Sequence, residues 1–232
     1  MKEQDQEALE AFLHVKFAQL YIESGNLEGV LRECEAALEM ADKFMEAQSG
    51  VVRPEPPDKI RAIYFKGLAK AQMGAIEDAQ ESAERLKLLI EEDLNQSLIR
   101  YYWHLLGRIE LQKENYPRTI DYFKQALSTI PPGGTAIAGY GRFTDSLALA
   151  YYRSGELEKA RNIYENTVSL MGVMDSNVIY PKTFYMLGKV YEKLGDKEKA
   201  AANYWKFLDL WNDADPGLPE PADAKSRLKK LQ

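Results

Sequence analysis

One cysteine, two histidines and no apolar run approaching a membrane span set the first limits on this chain of 232 residues. A lone Cys34 excludes an internal disulfide, which fits a reducing compartment. His14 and His104 stand far apart, and neither has a ligand four residues on, so the sequence offers no cluster of the donors that metal sites need. A formal charge of −6 argues against the broad positive face that nucleic-acid backbones require. Nothing comes near the roughly 20 apolar residues of a bilayer-crossing helix. The opening MKEQDQEALEAF lacks the basic start and apolar centre of a signal peptide. The expected setting is the cytoplasm, with neither nucleic acid nor membrane as partner. β-Branched residues are sparse and never alternate over a strand's length, while Leu, Ala, Glu, Lys and Tyr abound, so the chain is expected to be helical throughout.

What is present is a repeat. Five stretches share one pattern: VKFAQLYIESGNLEGVLRECEAAL (15–38), YFKGLAKAQMGAIEDAQESAERL (64–86), YWHLLGRIELQKENYPRTIDYFKQAL (102–127), DSLALAYYRSGELEKARNIYENTV (145–168) and YMLGKVYEKLGDKEKAAANYWKFL (185–208). A small residue recurs at Ala18, Gly67, Gly107, Ala148 and Gly188, and a compact one twelve positions later at Val30, Ala79, Thr119, Ala160 and Ala200. Seven residues after the small position come Gly25, Gly74, Gly155 and Gly195, with Glu114 as the single departure; this is where a helix ends in a left-handed residue. Asn26, Asn115 and Asp196 follow as N-caps, and Glu28, Glu77, Glu158 and Glu198 suit the positive end of a new helix. Pro117 takes that place in the third copy, where a first-turn proline loses no needed hydrogen bond. Each copy is expected to be helix, tight turn, helix, with Gly107 and Thr119 marking the closest approach of one pair. Large residues fill the spaces between copies: Trp103, Leu106 and Phe123, matched by Leu147, Tyr151 and Tyr164 and by Phe184, Leu187, Tyr191 and Tyr204.

With large, small, aromatic and small residues at these offsets, the sequence resembles the tetratricopeptide repeat family over residues 10–211. The resemblance implies an all-α, right-handed superhelical solenoid of five helical hairpins, at about 11–48, 59–92, 98–130, 139–171 and 181–212, plus a C-terminal capping helix at 221–232. The whole chain, 1–232, is then a single solenoid domain. The small positions lie 49, 40, 41 and 40 residues apart against a family norm of about 34, so the steps carry additional residues, placed at 49–59, 129–141 and 171–181 and in longer helices from 84 to 106. This stretched period is similar to repeat arrays attached to bacterial signalling proteins. In the cap, Leu228 and Leu231 are expected inward, with Lys225, Arg227, Lys229 and Lys230 in solvent, since a stack of hairpins needs a polar end.

The resemblance also places a groove on the first helix of each pair. Carried onto this sequence, its second half holds Tyr101, His104, Arg108, Arg142, Tyr152, Arg153, Lys182, Tyr185, Lys189 and Lys193, a basic and tyrosine-bearing wall on an acidic protein. Such a wall would concentrate an acidic or mixed apolar–acidic peptide, with arginine and tyrosine as anchors. The same stripe also fits a solvated face whose cations pair with acids of neighbouring helices. Tyr151 and Tyr191 fall at packing positions.

No nucleophile–base pair or phosphate loop emerges; PPGGTAIAGYG (131–141) lacks the Gly-Lys-Ser/Thr ending. Cys34 occupies the position of Phe123 and Tyr164, as a small buried hydrophobe. The sequence therefore points away from an enzyme and needs no cofactor. Its expected role is a scaffold or adaptor that holds a protein or peptide segment. The alternative is a regulatory or ligand-sensing domain of a larger bacterial signalling protein such as a kinase, ATPase or transcriptional regulator. Oligomeric state is left open.

Overall fold

The computed structural model describes residues 3–47, 57–92, 96–130, 140–171, 179–211 and 218–231. Among them are eleven α-helices and no strand: α1 (Glu3–Ser24), α2 (Leu27–Ala47), α3 (Pro57–Gln72), α4 (Ile76–Glu92), α5 (Ile99–Gln112), α6 (Tyr116–Ser128), α7 (Tyr140–Ser154), α8 (Leu157–Met171), α9 (Ile179–Leu194), α10 (Lys197–Leu210) and α11 (Pro219–Leu231). A single 3-10 turn, Gln96–Leu98, leads into α5. The inter-repeat stretches expected at 49–59, 129–141 and 171–181 fall largely outside the described residues. The longer helices expected from 84 to 106 resolve into two, α4 ending at Glu92 and α5 beginning at Ile99.

The helices form two compact units, residues 1–130 and 131–232. In the first, α1 packs on α2 and α3, α3 on α4 and α5, and α5 on α6. In the second, α7 packs on α8 and α9, α9 on α10, and α10 on α11. Both follow one rule: a first helix meets its own second helix and the first helix of the next pair.

Turn chemistry explains the hairpins. Gly25, Gly74, Gly155 and Gly195 have φ between 80° and 85°, and the following N–H closes the helix end, as Asn26 does on the Tyr21 carbonyl at 2.9 Å. Asn26 and Asp196 then cap the second helix, their side-chain oxygens accepting from the Gly29 and Lys199 N–H groups at 3.0 Å. Asn115 departs from the expected role: its side chain makes no cap bond and instead donates from Nδ2 to Glu110 Oε2 at 2.8 Å. Glu114 adopts the glycine-like conformation without being glycine, with φ of 55°. Replacing Glu114 by glycine is expected to stabilise the first unit by about 1 kcal/mol, because the left-handed conformation costs an L-residue roughly that much. A urea midpoint that falls in E114G would show that the side chain itself contributes more.

The small positions are filled from two directions. Sixteen residues after them stand Cys34, Ala83, Phe123, Tyr164 and Tyr204, all fully buried. At Gly107 an added Cβ would collide with the Phe123 ring, and at Gly188 it would lie 2.5 Å from Tyr204 Cε1. The Phe123 ring is what meets the small residue, while Thr119, on the same helix, is fully buried and donates to the Asn115 carbonyl at 2.9 Å. In the second pair the space at Gly67 is filled by Leu105 of the next pair, its Cδ2 2.6 Å from where a Gly67 Cβ would sit, and by Ser82 Cβ of α4 at 2.9 Å. Lys66 and Lys70, which stand where bulky residues are usual, are held by Glu35 at 3.5 Å and Asp78 at 3.0 Å.

Candidate peptide-binding surface

The ten residues of the expected groove divide between the units. Tyr101, His104 and Arg108 lie on α5 of the first. There, Tyr101 and His104 are buried. His104 Nδ1 is 2.9 Å from the Tyr64 hydroxyl, and the Tyr101 ring packs on Tyr64 at 4.8 Å. These two side chains join α3 to α5, while Arg108 is half-buried beside them in sequence.

The other seven belong to the second unit, with Arg142, Tyr152 and Arg153 on α7 and Lys182, Tyr185, Lys189 and Lys193 on α9. α7 and α9 pack together, so one aromatic ring becomes the centre of a cationic group. Lys193 Nζ stands 4.1 Å and Lys189 Nζ 5.7 Å from the centroid of Tyr152, and Lys189 is also 5.2 Å from Tyr185. Burial lowers the pKa of Lys189, and the charges of Arg227, Lys193 and Arg153 lower it further, against the opposing Asp223. Positive charge is therefore crowded at this point.

Around Lys182 and Tyr185 the charge is answered from within the chain. Lys182 Nζ is 3.2 Å from Glu220 Oε1, and the Tyr185 hydroxyl donates to Asp223 Oδ2 at 2.6 Å. Arg227 donates from Nε to the same Asp223 oxygen at 2.6 Å and from Nη1 to Glu192 Oε2 at 2.9 Å. Tyr204 completes the chain with a 2.8 Å bond to Glu192. Arg227 is thus not the solvated cation expected of a polar cap; it locks α11 to α9. Leu228 is buried as expected, and Lys225, Lys229 and Lys230 are exposed. The missed residues, Glu220, Asp223 and Arg227, carried a faint signal. Glu220 and Asp223 each follow their α9 partner by 38 residues, close to the 40 that separate Tyr64 from His104, so the period continues into α11.

Among the described residues no three His, Cys, Asp or Glu side chains converge as a metal site. Cys34 is buried, and its burial pushes the thiol pKa up to about 12, far from a reactive thiolate. His14 is tied to Glu33 at 2.8 Å. No described helix is long and apolar enough to cross a membrane.

Comparison with known proteins agrees with this geometry. The family model described as tetratricopeptide repeat matches residues 181–210, the α9–α10 hairpin. A search of the curated proteins gives no match. Among crystal structures, BtubC (BKLC) from P. vanneervenii is similar at 17% identity and a TM-score of 0.60, covering 94% of this chain and 95% of that one. A thermophilic tetratricopeptide repeat protein of Thermus thermophilus is similar at 19% identity and a TM-score of 0.56, covering 97% and 98%. A tetratricopeptide repeat protein from Parabacteroides merdae gives 17% identity and a TM-score of 0.61, covering 95% and 70%. The chain shares the all-α helical-repeat fold of these tetratricopeptide repeat structures, and its α9–α10 hairpin matches the repeat model itself.

Proposed function

We propose that the chain is an interaction scaffold whose second unit holds an extended acidic, or mixed apolar and acidic, segment of a partner protein. The observation that supports this reading is the crowding of Lys189 and Lys193 over the Tyr152 ring, where Lys189 feels the charges of three cations, Arg227, Lys193 and Arg153, against one acid, Asp223. An anionic segment relieves that repulsion, and the Tyr152 ring gives an apolar neighbour a face to pack on. The protein's own α11 illustrates the chemistry: its carboxylates Glu220 and Asp223 occupy the adjacent Lys182 and Tyr185. Within the second unit Arg142 adds a further cation on α7. No step in this role requires a catalytic group or a cofactor.

The test is fluorescence anisotropy with labelled fifteen-residue peptides alternating Glu with Leu, beside matched peptides in which Lys replaces Glu. The acidic probe should bind the wild type at low salt and weaken as salt rises. Binding by a K189E/K193E variant of unchanged helicity should be at least about tenfold weaker, in the range that close interfacial charges command. Equal binding of the two peptides, or equal binding by the two proteins, removes the basis for the proposal.

A further inference from the structure

We infer that the outer face of α1 is a self-association surface, on which a second copy of this chain docks its own α1 in antiparallel orientation. The helix is apolar on two sides. Ala11, Val15, Ala18 and Ile22 are buried against the first unit, while Leu9, Phe12, Leu13, Phe17 and Leu20 are between 37% and 55% exposed. Half the large exposed hydrophobic side chains of the described residues thus sit on this one helix.

The repeat itself says what such a face is for. Leu13, Phe17 and Leu20 stand five and one residues before, and two after, the small residue Ala18. The equivalent residues are Ala62, Lys66 and Ala69 on α3, Tyr102, Leu106 and Ile109 on α5, and Thr183, Leu187 and Val190 on α9, all buried or half-buried. Each of those helices packs against the hairpin that precedes it. The face is therefore built to receive helices, yet on α1 it keeps large apolar side chains in the open. In the second unit α11, which packs on α10, carries Lys225, Lys229 and Lys230 on its exposed side. α1 instead presents Phe12, Leu13, Phe17 and Leu20 around a single exposed cation, Lys16, whose Nζ lies 5.2 Å from the Phe12 ring.

The occupant that fits is another α1. Leu9, Leu13, Phe17 and Leu20 recur at spacings of four, four and three, the seam of a helix that packs lengthwise on another. Antiparallel pairing centred between His14 and Val15 brings Leu9 of one copy to Leu20 of the other and Phe12 to Phe17, with Leu13 against the aliphatic stem of Lys16, a two-fold arrangement of one patch on itself. With α2 behind each α1, the result is a four-helix arrangement. The five side chains expose roughly 500 Å² of apolar surface, at the size where a patch marks an interaction site. That is more than half of the roughly 800 Å² that each partner gives to a standard interface. The proposal involves only the first unit and does not depend on peptide binding by the second.

Sedimentation velocity of the full chain over a concentration series tests it. A species of twice the 26.4 kDa chain mass is expected at tens of micromolar, giving way to monomer on dilution. Phe17→Glu should be monomeric throughout, while Trp205→Glu, which alters an exposed aromatic on α10, should dimerise like the wild type. Should F17E lose helicity, the milder L13Q/L20Q variant carries the same expectation. A wild type that remains monomeric at every concentration, a dimer that F17E or L13Q/L20Q retains, or an assembly larger than two overturns the inference.

Discussion

Truncation of Phe123 to alanine is expected to cost about 3–5 kcal/mol, the range for deleting a large aromatic side chain from a packed core. Phe123 is fully buried, stands 5.1 Å from the His104 ring, and fills the space that Gly107 leaves open. The informative experiment is the cycle with Gly107→Ala. Alone, that methyl group meets the Phe123 ring and should destabilise by about 1–3 kcal/mol despite the better helix propensity of alanine. In the F123A background the obstacle is gone, so the same change should become stabilising by up to about 1 kcal/mol. Urea unfolding of the four proteins should give a strongly non-additive cycle, as expected for side chains in contact. Additive effects would mean that Gly107 is small for a reason other than the Phe123 ring.

Arg227→Ala should loosen α11 by about 1–3 kcal/mol, the range for hydrogen bonds to charged groups, and toward the lower end because the arginine side chain is about a third exposed. The loss should carry a pH signature. Burial acts to raise the pKa of Glu192, but hydrogen bonds from Tyr204 and Arg227 outweigh it and hold the group below its ordinary value. Asp223 is lowered in the same way, burial being outweighed by Tyr185 and Arg227. Carboxylates with depressed folded pKa values contribute stability that is fully present above their unfolded values, near pH 4, and lost as pH falls through the folded ones. Wild-type stability should therefore decline below about pH 4 more steeply than that of R227A, whose carboxylates have lost their guanidinium. Urea midpoints measured from neutral to acid pH check this. Parallel curves for the two proteins would mean that the arginine does not set the titration of these carboxylates.

The hairpins were legible because their signals are local. A left-handed glycine and an Asn or Asp cap specify a turn within a few residues, and four of the five turns carry that glycine. The aromatic ring opposite the small residue was legible as a large side chain, but which partner it met was not. Thr119 and Phe123 are both fully buried on α6, and it is the Phe123 ring that stands against Gly107. The expected groove showed a different difficulty. A periodic offset assigns residues to a helix face, but it does not reveal whether the next helix buries that face. Tyr101 and His104 share an offset class with Lys182 and Tyr185, yet the first pair is enclosed by Tyr64 while the second pair meets carboxylates from α11. Composition concealed α11 as well. ADAKSRLKKL reads as a basic, solvated helix, because the acids that anchor it, Glu220 and Asp223, fall at its beginning. Asn115 is the N-cap residue of α6 as expected, but its side chain turns to Glu110 on the helix before and makes no cap bond.

The reach of the contacts between neighbouring helix pairs has a consequence for how the protein is made. Tyr64 bonds His104 across 40 residues, Gln112 reaches the Ala71 carbonyl across 41, and Tyr185 reaches Asp223 across 38. A ribosome adds that many residues in roughly 2–8 s, whereas helices form in about a microsecond. Each hairpin can therefore settle against its predecessor as soon as it emerges, and synthesis, not conformational search, sets the pace at which these contacts assemble.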